Sequence, residues 1–309
     1  MPLRRLYCYL PVIAAIFCGS WSASACAQPT TAYYRADSSL ELPKVNWLDD
    51  YGDAMKRAEL GRKYLLIYFY EADAGPNQTK FESAVLRDAG MLARIDSECV
   101  ALRVPVGYEV SVGGKMSPLL GFEAFADLAG RPGVALVDYK HQNEEYTGYV
   151  VSILPFDDGK YYRFSPEYLS IVLDLPPGTL TQRTMIFAVR VHPEAPESTK
   201  GRPNRGLFSE AREHSFLQAR IRTQGHHNWG SRFPRIASLL GGGLRPQEVV
   251  AESWPGENLV DAAIDCVDCW RQSPGHWGAV QADQPTFGYD IQRGENGIWY
   301  ATGLFGNKH

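Results

Sequence analysis

Between Gln224 and Phe305 the chain concentrates the side chains that could do chemistry: His226 and His227, then Glu248, Glu252 and Glu257, then His276. They stand among tryptophans, glycines and prolines, a mixture suited to a shaped cleft rather than a repetitive core. Two imidazoles and a carboxylate can hold Zn²⁺ or another divalent cation with coordination positions left open. The same groups can also form a polar cleft without metal, or activate a metal-bound water with Glu248 or Glu252 as base. Two hydrolase signatures are missing: the sequence contains neither Gly-x-Ser-x-Gly nor His-Glu-x-x-His.

The spacing narrows these candidates. His226 and His227 are adjacent, and in extended backbone only one of them can face a cleft. Glu248, Val250 and Glu252 share a face of an extended segment, so both acids can point at one site. Glu257 lies only thirteen positions before Trp270. Asn258 is the better N-cap for a helix over 259–271, which makes Glu257 a poor site residue. His276 follows Ser-Pro-Gly, a turn that presents a side chain at a helix end or caps helix carbonyls. Cys266 and Cys269 form a Cys-x-x-Cys, but they fall well inside that helix. Reactive pairs sit at helix N-termini, so these read as small core residues.

The bulk properties fit an ordinary folded protein. At 309 residues, 45% hydrophobic and 21% charged, the chain has room for two domains and no long disordered tract. A net charge of -4 gives no basic excess to neutralise phosphates, which argues against nucleic acid as a partner. Arg4 and Arg5, the apolar run 6–17 and the small residues Ala23, Ala25 and Ala27 form a bacterial-type signal peptide over residues 1–27. The mature chain is then expected to begin near Cys26 or Gln28, to carry no transmembrane helix, and to be secreted, periplasmic or held in the cell envelope. Only Cys99, Cys266 and Cys269 remain in it, too few for a disulfide scaffold.

Elements to position the site follow from periodicity. Trp47, Tyr51, Ala54, Met55 and Ala58 recur at helical spacing, with Gly61 closing the helix. Tyr64–Tyr70 reads as a strand covered on both faces. A helix over 78–95, a strand over 100–106, a further helix, and strands over 134–139 and 146–154 complete an α/β half. The Pro/Gly-rich stretch 174–181 is a natural boundary. Beyond it, helices are expected over 182–192 and 209–222, the latter with Ser209 as N-cap.

The first of these halves, residues 45–175, resembles the thioredoxin-like family. Ala74-Gly75-Pro76-Asn77 stands where that family has Cys-Gly-Pro-Cys, and Pro132 where it has a cis-proline. Neither motif position carries a thiol, so no thiol–disulfide exchange is expected from it.

Residues 179–307 resemble the CAP superfamily of SCP-like extracellular proteins. Trp270 to His276 reproduces the family's Trp-x-x-Ser-Pro-Gly-His, and the order of helix, helix, histidine, glutamate strand and closing strands runs from 182 to 305. The resemblance implies an α-β-α sandwich with a cleft formed by His226, Glu248 and His276, with Glu252 as the alternative acid. It also implies His226 and His276 as metal ligands, and a lipid, cell-wall or envelope component as partner. The chain departs from the family at Arg271-Gln272-Ser273, where many eukaryotic members place a second glutamate. The expectation is an exported α/β protein with a redox-inactive thioredoxin-like half and a CAP-like binding half. A metal-assisted extracellular hydrolase, or a structural envelope protein docking through its first half, are the alternatives.

Overall fold

A computed structural model describes residues 45–308. The expected signal peptide and its cleavage site lie outside the described residues. The protein is α/β, with two four-stranded sheets covered by helices.

The first sheet has strand order β2-β1-β5-β6, from β1 (Tyr64–Tyr70), β2 (Cys99–Pro105), β5 (Gly133–Asp138) and β6 (Val150–Pro155). β1 runs parallel to β2 and antiparallel to β5, and β5 is antiparallel to β6. The unbroken apolar run of β1 is explained by cover on both faces. Tyr64, Leu66 and Tyr68 join one core, while Leu65, Ile67 and Phe69 join another beneath α1 (Tyr51–Gly61). Asp50 caps α1 by accepting from Asp53 N.

Local chemistry moves several boundaries. The helix expected over 78–95 is split into α2 (Pro76–Lys80), which continues as a wide turn over Phe81–Val85, and α3 (Ala89–Glu98). Asp88 accepts from Met91 N at 2.7 Å, and this new cap ends one helix and starts the next. In place of a helix between β2 and β5 there is a hairpin, β3 (Glu109–Val112) with β4 (Lys115–Pro118), followed by two short 3₁₀ turns. Gly113 and Gly114 at positive φ supply the hairpin turn. The strand expected from Tyr146 starts at Val150, because residues 139–149 are taken up by turns around Asp138. Pro132 is preceded by a trans peptide, since no cis bond occurs among the described residues.

After α4 (Pro166–Leu173) comes α5 (Leu180–Val191), opened by a reciprocal capping box between Thr179 and Gln182. The second sheet has the order β7-β9-β10-β8, from β7 (Arg202–Pro203), β8 (Arg245–Glu252), β9 (Thr286–Arg293) and β10 (Trp299–Asn307). α6 (Arg205–Ile221) lies across β9 and β10, while α5 and α8 (Leu259–Arg271) pack together and against the sheet. Gly288 permits the close crossing of α6 over β9: a Cβ there would meet the Leu207 carbonyl carbon at 2.4 Å. α6 starts at Arg205, one turn before the expected Ser209. Asn204 is the cap, accepting from Gly206 N and Leu207 N.

One core runs through both halves. Leu66, Phe81, Val151 and Leu169 belong to the same apolar cluster as Ile186, Val249, Ile264 and Tyr289. Arg183 reaches from α5 into the first half, where it is completely buried. Among the described residues no helix is long and apolar enough to cross a membrane.

Candidate functional site

His226, Glu248 and His276 come together from three separate elements. Glu248 lies in β8 opposite Leu304 of β10, and its side chain is almost completely enclosed. His226 sits in the loop between α6 and α7 (Trp229–Leu239). His276 lies in the first turn of α9 (Pro274–Gln281), just past the Pro that opens the helix. His226 Nδ1 is 3.0 Å from Glu248 Oε1, and its Nε2 is 3.4 Å from His276 Nε2. His276 therefore does not cap helix carbonyls.

Glu248 is the electrostatic centre. Arg232, on α7 and itself buried, places Nη2 2.6 Å from Glu248 Oε2. That contact is an ion pair rather than an aligned hydrogen bond. Burial opposes charge on Glu248, but the bond from His226 and the guanidinium charge of Arg232 outweigh it, so its carboxyl is held below the ordinary range. An ionised carboxylate only accepts, so the Nδ1 of His226 donates to it, and in the neutral ring that leaves a lone pair on Nε2. Without metal, that lone pair is the acceptor for a proton on His276 Nε2. Burial, with His226 alongside, pushes the His276 imidazole below its usual value despite the attraction of Glu248, which keeps the ring neutral at pH 7.

Other expected residues lie elsewhere. His227 does not compete with His226 as two faces of a strand, because the segment is a turn. Its Nε2 is 3.0 Å from Thr223 O. Glu252 is exposed at the end of β8, opposite Tyr300, and its carbonyl accepts from Cys269 Sγ at 3.8 Å. No hydrogen bond or ion pair among the described residues joins it to the histidines, so Glu252 is no part of this cluster. Glu257 accepts from Trp254 N at 3.2 Å, a turn contact. Asn258 caps α8 as its side chain predicts. Cys266 is buried and Cys269 half-buried, both are free thiols, and burial raises both thiols above their usual value.

Two groups close to the site have no counterpart among the sequence candidates. His214 on α6 is enclosed. Its Nε2 lies 2.9 Å from Gly225 O and 3.7 Å from Glu248 Oε1. Burial pushes its imidazole down to about 4, the nearby Glu248 charge notwithstanding. Glu194, just beyond α5, accepts from Arg271 Nε at 2.6 Å and from Trp277 Nε1 at 3.1 Å, and so ties α9, the helix of His276, to α8. His214 carried one signal: a polar residue at helical spacing from the apolar Leu207 and Ala211.

In the segment Ala74-Gly75-Pro76-Asn77, Gly75 stands at the N-cap of α2 and Pro76 opens it. Asn77 is turned inward, donating to Phe156 O and Asp158 Oδ1. Among the described residues no three His, Cys, Asp or Glu side chains form a ready-made metal cluster. The convergent pair is His226 and His276, with Glu248 behind the first.

No protein-family model matches the chain, and no curated protein matches it. Among solved structures, an outer surface protein from Borrelia burgdorferi is similar at 22% identity and a TM-score of 0.29. The match covers 35% of this chain and 78% of that one.

Proposed function

We propose that the protein is an exported binding protein whose CAP-like half holds a divalent cation, Zn²⁺ foremost, between His226 and His276. The open positions of that cation would then take a small ligand or an envelope component. The observation that carries this reading is the 3.4 Å separation of the two Nε2 atoms. Two imidazole nitrogens bound to Zn²⁺ at ~2.0–2.1 Å with tetrahedral angles stand about 3.3 Å apart. The bond from His226 Nδ1 to Glu248 supports the same reading, since a carboxylate behind a ligating imidazole fixes its tautomer and raises its basicity. Glu248 itself fits the supporting role better than a ligand's, because its oxygens face His226, His214 and Arg232. The same geometry leaves the hydrolase alternative without a free base at Glu248.

The thioredoxin-like reading of the first half draws support from its strand order and mixed pairing, and the absence of thiols at Ala74 and Asn77 supports a docking or scaffold role for it. Calorimetric titration of the mature protein with Zn²⁺ tests the cation site. One site of micromolar affinity is expected, lost in His226→Ala and in His276→Ala and kept in Glu252→Ala. Identical binding by wild type and the His226→Ala/His276→Ala double variant would overturn the proposal.

A further inference from the structure

The ring of His226 can meet His276 only if the loop that carries it is held in place. Gln224 Nε2 ties that loop to β8, donating to Val250 O at 3.3 Å. Residues 223–228 form no regular structure. Yet the residue just before His226 is gripped at both of its backbone groups. Gly225 N donates to Gln218 Oε1 at 3.1 Å, and Gly225 O accepts from His214 Nε2 at 2.9 Å. His214 and Gln218 are one helical turn apart on the same face of α6, and both are fully enclosed.

The grip is anchored in turn. Gln218 Nε2 donates to Thr302 Oγ1 at 3.0 Å, and Ser215 Oγ lies 2.9 Å from the same hydroxyl, all three buried. The amide of Gln218 is thereby fixed in one orientation, with its NH₂ towards β10 and its oxygen towards the loop. Buried polar groups at helix positions that apolar residues could fill cost stability unless they are bonded; Gln218 uses both ends of its amide, and His214 its Nε2, its Nδ1 having no partner among the described residues. Here two of those bonds go to the backbone of the loop that carries His226.

We infer that His214 and Gln218 are positioning residues for the cation site: as a two-point clamp on Gly225 they set the approach of His226 to His276. The clamp rests on the reading of His226 and His276 as cation ligands. It adds that the affinity of the pair is set from α6, by residues that never touch the cation. Glu248 fixes the rotation of the His226 ring, and the clamp fixes where the ring begins.

Four variants test it: Gln218→Met and His214→Phe, which keep bulk and remove the bonds; His214→Gln, which returns an N–H donor at a similar reach; and Leu136→Ala, which opens the core at β5 of the first sheet and removes no bond to the loop. Zn²⁺ affinity, read by calorimetry on folded protein, is expected to fall about ten-fold or more in the first two, the usual cost of losing support behind a ligand. His214→Gln is expected to recover most of it, and Leu136→Ala to bind as wild type does. Wild-type affinity in both clamp variants would overturn the inference while leaving the cation site standing.

Should wild type not bind Zn²⁺, the proposed function fails and the clamp is judged on metal-free protein by nuclear magnetic resonance. Gly225 amide exchange is expected to be slow in wild type and much faster in Gln218→Met, with the ¹⁵N shifts of the His226 ring moving in both clamp variants. Unchanged exchange and unchanged shifts would overturn it.

Discussion

Replacing Arg183 with Met should weaken both halves of the protein at once. The side chain leaves α5 and ends among oxygens contributed by the first half and the connecting stretch. Its Nε donates to Val151 O at 3.1 Å and Ser152 Oγ at 3.0 Å, Nη1 to Leu175 O and Pro176 O, and Nη2 to Val172 O at 2.8 Å. These acceptors need it: β6 is an edge strand, Val172 closes the last turn of α4, and 175–176 are loop. Methionine matches much of the length but leaves four carbonyls without this donor. Each buried orphan costs about 1–3 kcal/mol, offset in part by no longer burying a guanidinium, for a net loss on the order of 5 kcal/mol. Whole domains hold only about 5–15 kcal/mol. Urea unfolding followed by peptide-resolved hydrogen exchange is the assay. A single transition at a much lower midpoint is expected, with peptides from β1 and from β9 losing protection together. If β9 peptides kept the wild-type midpoint while β1 peptides melted early, or if the loss were under about 1 kcal/mol, the idea of one core stapled by Arg183 would be wrong.

Two further substitutions test the electrostatics. Arg232→Met leaves Glu248 enclosed with only imidazoles for company, and removing one partner of a buried pair costs about 3–5 kcal/mol. The folded-state carboxyl of Glu248 is depressed, so this stabilisation is present above the unfolded pKa and lost as pH falls through the folded one. The deficit of the variant, measured by urea melts, should be largest near pH 7 and shrink in acid; a constant deficit would contradict the assignment. Asp290 behaves oppositely, because burial pushes its carboxyl up to about 7. Between the ordinary carboxylate value and that one the folded state keeps a proton the unfolded state sheds, so its contribution declines as pH rises, by about 4 kcal/mol across the window. Asp290→Asn removes that decline, and its stability relative to wild type should climb from pH 4 to pH 7; parallel curves would refute the buried acid.

What the sequence made legible, and what it hid, divides along the range of the interactions. β1 was readable because seven consecutive apolar residues need cover on both faces, and the cap at Asn258 was readable because it acts three residues away. His226, Glu248 and His276 were readable as residue types, but their convergence depends on α6, α7, β8 and α9 meeting, which no local pattern encodes. The face rule that grouped Glu248 with Glu252 holds for the strand and still misleads. Glu248 lies under Arg232 of α7, whereas Glu252 has reached the exposed strand end beside Cys269. The clamp was hidden by a boundary. Starting α6 at Ser209 cuts off Leu207, which with Ala211 marks the buried stripe that continues through His214 and Gln218. Asn204, whose side chain bonds two free amides of the first turn, is the cap that restores that stripe, and with it the reason two polar residues face inward. A polar pair on an apolar helix face signals a bonded partner rather than a packing fault, and here that partner is the backbone of the loop bearing His226.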